Sequence, residues 1–273
     1  VVATAAGFQV SGRDDLNYIS ELQFRPYLVA APDQLSWAAL KALIDIIPDS
    51  VLALRTAGFL ICLLPCLVLS SKRVDQSAII YFAISISPLY WDLYFNQVRL
   101  ALGVGLFLII LAYGRQLLAP LIGALGHTSV LLFLFPPAII IAPIALSLVE
   151  MLDAESYAAI RLTAYRDLEY LFMPWYFGWE LIVLALAFAY EKKGKQALGL
   201  VIYAIAVRLL ADRLSVEIAR RLLEIGVFIY SPLVSYLRTN VAPTHQMIAL
   251  YILLGLLSLY AGIAGGVVSV GSL

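Results

Sequence analysis

Long apolar runs alternate with short polar ones along this chain. Residues 51–70, 171–190 and 246–266 are each close to the roughly 20 mostly apolar positions that a membrane-spanning helix requires. Shorter, dense runs lie at 77–91, 100–113, 197–211 and 222–237. The stretch 116–149 is also apolar but is interrupted at Pro120, Pro136, Pro137 and Pro143. Residues 34–47 are amphipathic, and with Lys41, Asp45 and Asp49 they predict a helix resting on a membrane surface. Residues 1–10 read as the tail of an apolar segment, so a further span upstream of Val1 is expected. No internal repeat of fixed period is visible.

Composition turns this pattern into a solvent argument. Hydrophobic residues make up 63% of the 273 positions and charged residues 13%, against roughly 45–50% and about 25% in soluble domains. One water-soluble core cannot hide that surplus, so the remaining solvent is lipid. Net charge is zero, which implies no nucleic-acid-binding surface. Cys62 and Cys66 stand one helical turn apart in an apolar run, with no metal-ligating partners nearby in the sequence. Walker A, GxSxG, HExxH and dinucleotide-binding motifs are all missing.

Lysine orients the chain. Four of the five lysines (Lys72, Lys192, Lys193 and Lys195) fall in the short loops 71–76 and 191–196, and basic residues in short loops mark the cytoplasmic side. Arg115 then also lies inside, two short spans after Lys72. The run 171–190 must start outside to end at the lysine loop, so 116–149 crosses a net odd number of times. It is too long for one plain helix and too short for three of about 20 residues. One crossing plus a re-entrant or interfacial segment, broken at Pro136 and Pro137, is the simplest solution. Irregular backbone at that depth is tolerated only where protein or a wet cavity surrounds it. Next, 197–211 ends outside, 222–237 returns inside at Arg238, and the last span ends outside. The chain therefore reads as all-α: a polytopic integral membrane protein of about eight spanning helices. It forms one transmembrane domain over 1–273, with 1–50 as an external amphipathic segment.

That topology makes the arginines informative. Arg13, Arg99, Arg161, Arg166, Arg208, Arg213, Arg220 and Arg221 fall on or near the outer side, and Arg73, Arg115 and Arg238 inside. Outer arginines run against the usual bias. An anionic ligand explains them, because the guanidinium fork suits phosphate; pairing with Asp167, Asp212, Glu217 and Glu224 is the competing explanation. Arg99 sits at the lip of a span, three residues from Asn96 and so on the same helical face. On an unbroken helix His127 would lie about 17 Å above the inner surface. There it serves a phosphate, a proton transfer or a helix–helix hydrogen bond. Glu180, mid-span, reads as a counter-ion or a base, and His245 as structural. Gly12–Tyr18 is polar and external; Asp14 and Asp15 serve there as base, as sugar ligands or as helix-capping acids.

The run Phe95-Asn96-Gln97-Val98-Arg99 precedes a span, and the next span carries His127-Thr128-Ser129. This arrangement resembles the EpsG family of Wzy-like bacterial polysaccharide polymerases. Gly12, Asp15 and Tyr18 are similar to that family's glycine–aspartate–tyrosine region, and Arg220-Arg221-Leu222-Leu223-Glu224 to its later outer arginine. Leu100 stands where the family commonly has glutamine, and Gly126 where it has phenylalanine before the histidine. The resemblance implies a GT-C-like membrane glycosyltransferase in the bacterial inner (plasma) membrane, its active site facing the periplasm or exterior. Its substrates would be polyprenyl-pyrophosphate-linked oligosaccharide repeat units, joined into a cell-surface polysaccharide with a chain-length regulator as a further partner. It implies His127, Arg99, Asp14 and Asp15 as catalytic residues. Arg13, Tyr18, Asn96, Arg161, Arg166, Arg220, Arg221 and Glu224 would bind pyrophosphate or glycan. No cofactor, metal or nucleotide is expected, because the donor linkage carries the energy and arginines neutralise the leaving group. The alternatives are an O-antigen ligase with the same donor, or a transporter or flippase of an anionic glycolipid. A transporter would spread polar residues through the full membrane depth, whereas here they crowd toward the outer side. A membrane acyltransferase rests on His127 alone.

Overall fold

The computed structural model describes residues 98–135, 192–211 and 244–264 without a break. It also describes individual positions within 8–9, 38–68, 141, 185–190, 222–238 and 269–270. These residues are mostly helical. They belong to two compact units, one joining Val1–Leu134 to Ser235–Leu273 and the other formed by Phe135–Val234.

In the first unit, α1 (Val98–Ala112) is apolar apart from Arg99, and Val98, Leu100, Ala101, Val104, Phe107, Leu108 and Leu111 are buried. The α1 helix is flanked on two faces. At Gly105 it meets the backbone and side chains of Ile61 and Pro65. At Gly103 it meets a hairpin made of α2 (Leu118–Gly123), a turn at 124–127 and a 3-10 helix (Thr128–Leu134). The α1 helix stops at Gly114, whose φ of +74° is the left-handed conformation glycine adopts without strain. Gly114 N–H donates to Leu111 O (2.8 Å) and Arg115 N–H to Ile110 O (3.3 Å). These are the paired bonds of a Schellman C-cap.

The hairpin leaves and returns at one residue. Gln116 Nε2 donates to the carbonyl of Arg238 (3.0 Å), and Arg238 Nη2 donates to the carbonyl of Phe133 (3.0 Å). Burial lowers the Arg238 pKa from its usual value, and the guanidinium stays cationic across the physiological range. Thr244 caps α3 (His245–Ala264, placed in this unit) with its hydroxyl accepting from Met247 N–H (3.3 Å). Two-residue strands close the unit: β1 (Phe8–Gln9) pairs antiparallel with β2 (Ser269–Val270), Phe8 opposite Val270. The hydrophobic pattern predicted no strand there; a pair this short does not change the helical class.

The second unit shows α4 (Gly194–Ala211). Its Tyr203 is fully buried, and the hydroxyl donates to the carbonyl of Leu222. The preceding helical turn ends like α1: Lys192 N–H donates to Ala189 O (3.0 Å) and Lys193 N–H to Phe188 O (2.8 Å). Here the left-handed position is held by Lys192 at φ +60° rather than by glycine. Lys193 Nζ lies 5.8 Å from the Phe188 ring centroid, adding a cation–π contact across the cap.

Three helical stretches turn apolar side chains outward at the same spacing. They are Leu60, Leu63, Leu64 and Leu67; Leu198, Val201, Ile202 and Ile205; and Leu253, Leu256, Leu257 and Tyr260, the last 73% exposed. Offsets of three, four and seven place each set on one helix face. Residues 245–264 form one continuous 20-residue helix without Asp, Glu, Lys or Arg, although several of its side chains lie outside the described set. Among the described residues no helix is long and apolar enough to cross a membrane. The runs expected at 100–113, 197–211 and 246–266 coincide closely with α1, α4 and α3. The run at 77–91 lies outside the described residues, and those at 51–70, 171–190 and 222–237 are described only at scattered positions.

Candidate functional site

The site grows from a crossing of small residues. A Cβ added at Gly126 would strike the backbone nitrogen of Gly103 and come within 2.5 Å of its Cα. One added at Gly103 would come within 2.8 Å of Gly123 O and 3.1 Å of His127 N. One at Gly123 would lie 2.6 Å from Val130 Cγ1 and 2.8 Å from Gly103 O. Only glycine at these three positions lets the turn of the hairpin press its backbone onto that of α1. Val130 is fully buried against the crossing, and below it the Phe133 ring stacks on Phe107 at 4.4 Å between centroids and 27° between planes.

This crossing brings Arg99 and His127 to one region. Arg99 and Gly103 are four residues apart on α1, so they share a face with about 6 Å of rise between them. His127 lies against Gly103 through its backbone. Both side chains are partly exposed. Gly103 is nine residues above Ala112, which sets the His127 backbone about 14 Å from that end of α1. The helix expected to rise unbroken to His127 instead stops at Gly123, and the chain turns over 124–127. The break expected at Pro136 and Pro137 lies outside the described residues.

His127 also begins the 3-10 helix. Its carbonyl accepts from Val130 N–H (3.0 Å), and its Nδ1 accepts from Ser129 N–H (3.3 Å). Ser129 Oγ stands 2.7 Å from the same Nδ1. The histidine is thus the N-cap of that helix through its ring as well as its main chain.

Of the expected site residues, only Arg99 and His127 are described. Arg13, Asp14, Asp15, Tyr18, Asn96, Arg161, Arg166, Arg220, Arg221 and Glu224 lie outside the described residues, as does Glu180. His245 is exposed at the first turn of α3, just after its Thr244 cap. Among the described residues no three His, Cys, Asp or Glu side chains stand close enough to hold a metal ion. Sequence reasoning named Ser129 only within the His127-Thr128-Ser129 run, assigned Arg238 only to the inner side, and passed over Gly103. Gly103 and Gly126 lie 23 positions apart in the chain, and no local pattern links them. No known family model, no curated protein and no solved structure matches this chain.

Proposed function

We propose that the chain is a polytopic membrane glycosyltransferase of GT-C-like architecture that polymerises polyprenyl-pyrophosphate-linked oligosaccharides at the outer face of the bacterial inner membrane. The observation that carries the chemistry is the crossing of Gly103 with Gly126, which sets His127 within about a helical turn of Arg99. An anionic leaving group needs fixed donors where its charge develops. A guanidinium and an imidazole held on packed backbone are such donors.

Lipid as the surrounding solvent has separate support. Outward-facing apolar stripes on three helical stretches find their solvent in acyl chains. Two contacts also join residues that the charge pattern puts on the same side. Gln116 meets Arg238, both expected inside, and Phe8 pairs with Val270, both expected outside. The α3 helix connects these two levels, and its 20 residues span about 30 Å, the thickness of a bilayer's hydrocarbon core.

In the proposed reaction, a sugar hydroxyl of one lipid-linked glycan attacks the anomeric carbon of another. The new glycosidic bond forms as the bond to the pyrophosphate oxygen breaks, and the electron pair leaves with polyprenyl pyrophosphate. The hydroxyl proton passes to Asp14 or Asp15. Arg99, with Arg220 or Arg221, takes the charge of the leaving group. Reconstitution with a synthetic polyprenyl-pyrophosphate repeat unit tests this. Product ladders that vanish in Arg99→Ala support it. Full activity in that variant removes Arg99 from the mechanism, and lipid transport without a new glycosidic bond overturns the enzyme class. Cysteines introduced near 160 and 193 in a chain lacking Cys62 and Cys66 are expected to label from opposite sides; same-side labelling overturns the topology.

A further inference from the structure

The hairpin that carries His127 starts and ends at one residue. Arg238 receives the Gln116 side chain on its carbonyl (3.0 Å) and gives its own Nη2 to the carbonyl of Phe133 (3.0 Å). The two ends therefore lie far closer together than the roughly 30 Å thickness of a hydrocarbon core. Between them the limbs are short. Six residues of α2 rise about 9 Å, and seven residues of 3-10 helix about 14 Å. Both limbs pack on α1 and on each other. The tip rests on Gly103, about 14 Å from the Ala112 end of α1 and so about halfway through such a core. A segment that goes in that far and comes back does not cross.

The tip has a packed side and an open one. Gly123, Ala124 and Gly126 are buried, whereas Thr128 is exposed and His127 and Ser129 are partly so. Irregular backbone at mid-depth is tolerated only inside protein or along a water-filled cavity. Hydroxyl groups turned toward acyl chains would forfeit the hydrogen bonds that water gives them. The α1 helix supplies the direction: Arg99, four residues before Gly103, stands about 6 Å further from the inner surface than the tip.

We propose that residues 116–134 form a re-entrant hairpin that enters and leaves on the inner side, and that its tip at 126–129 is the floor of a water-filled well open to the outside, where the anionic headgroup of the lipid-linked donor comes to rest. This rests on the reading of the chain as a membrane enzyme acting on a pyrophosphate at the outer face. The hairpin closes the well from the inside, and Arg238 clasps its two ends. An anion entering from the outer side passes the level of Arg99 before it meets the floor. The crossing that the charge pattern demands of 116–149 then falls after Leu134. A hairpin packed dry among helices would also explain the glycines, and accessibility separates the two.

Single cysteines in a chain lacking Cys62 and Cys66 test this, with a charged, membrane-impermeant methanethiosulfonate added to right-side-out or inverted vesicles. Leu117, Thr128 and Leu134 are exposed, so cysteine at each leaves the packing intact. Leu117→Cys and Leu134→Cys should both react only in inverted vesicles, and Thr128→Cys only in right-side-out ones. Farnesyl pyrophosphate added outside should abolish the reaction at 128. Reaction of 117 and 134 from opposite sides overturns the hairpin. Reaction at 128 from the inside, or from neither side, overturns the well, and no protection at saturating farnesyl pyrophosphate overturns it as the seat of the headgroup. A nitroxide at 128 gives an independent reading. It should relax more with a water-soluble nickel chelate than with oxygen, and one at Leu121, 50% exposed on α2, the reverse; the same oxygen preference at both positions overturns the wet tip. The expected labelling in a chain that forms no polymer overturns the polymerase reading and leaves the hairpin standing. Polymer from a chain with 117 and 134 on opposite sides does the opposite.

Discussion

Replacing Gly126 by alanine adds one methyl group to the chain, and the structure says where that methyl goes. It meets the backbone of α1, at 2.5 Å from Gly103 Cα and 3.0 Å from the carbonyl carbon of Leu102. Relaxed carbon–carbon contacts lie at about 3.5–4.0 Å, so hairpin and helix must separate by about 1 Å. No flexible side chain can swing away to absorb the strain, because the opposing atoms are main chain. Overpacking of this kind costs about 1–3 kcal/mol, occasionally more, and it lifts His127 away from α1. Two other glycines make internal controls. Gly194 has open space where a Cβ would go and an ordinary φ, so Gly194→Ala should be neutral or stabilise by about 0.4–1 kcal/mol. Gly114 also has open space, but its φ of +74° penalises any side chain, so Gly114→Ala should cost about 1–2 kcal/mol through strain alone. Reversible unfolding of the three variants in mixed micelles, followed by circular dichroism, gives the ranking. If Gly126→Ala is as stable as Gly194→Ala, the close crossing of hairpin and α1 is wrong, and with it the juxtaposition of Arg99 and His127.

Four further variants have expected outcomes. Lys192 holds a left-handed position that glycine occupies without penalty, so Lys192→Gly should stabilise by about 1 kcal/mol, and a loss of stability would contradict the cap. Tyr203→Phe keeps the ring but strips the Leu222 carbonyl of its donor, at a cost of about 1–3 kcal/mol; an unchanged midpoint would show that this bond is not made. Phe133→Ala should cost about 3–5 kcal/mol through the lost stack on Phe107. Arg238→Ala should cost less, about 1–3 kcal/mol for the undonated Phe133 carbonyl, and should speed amide exchange across 118–134 more than within α1. Uniform exchange in both segments would remove Arg238 as the tie of the hairpin.

Helices were legible where apolar residues ran on without a breaker. The α1, α3 and α4 helices fall within a few positions of runs seen in the sequence, because an uninterrupted apolar stretch leaves the backbone few other ways to satisfy its polar groups. The turn at 124–127 on Gly123 and Gly126 was not legible, and the break expected at Pro136 and Pro137 lies outside the described residues. Glycine marks a turn only weakly in sequence, since its use there is to let another backbone approach, and that backbone belongs to a distant segment. Arg238 was assigned only to a side of the membrane for the same reason. Its partners Gln116 and Phe133 lie more than 100 positions away.

By itself the sequence determined the helical class and the residue types able to meet a phosphate, because each follows from run length or side-chain chemistry. Tertiary structure decided which of the segments carrying them approach each other. Arg99 and His127 are 28 positions apart in the chain, and no local pattern encodes their approach. Three glycines that admit a backbone-to-backbone crossing bring them together.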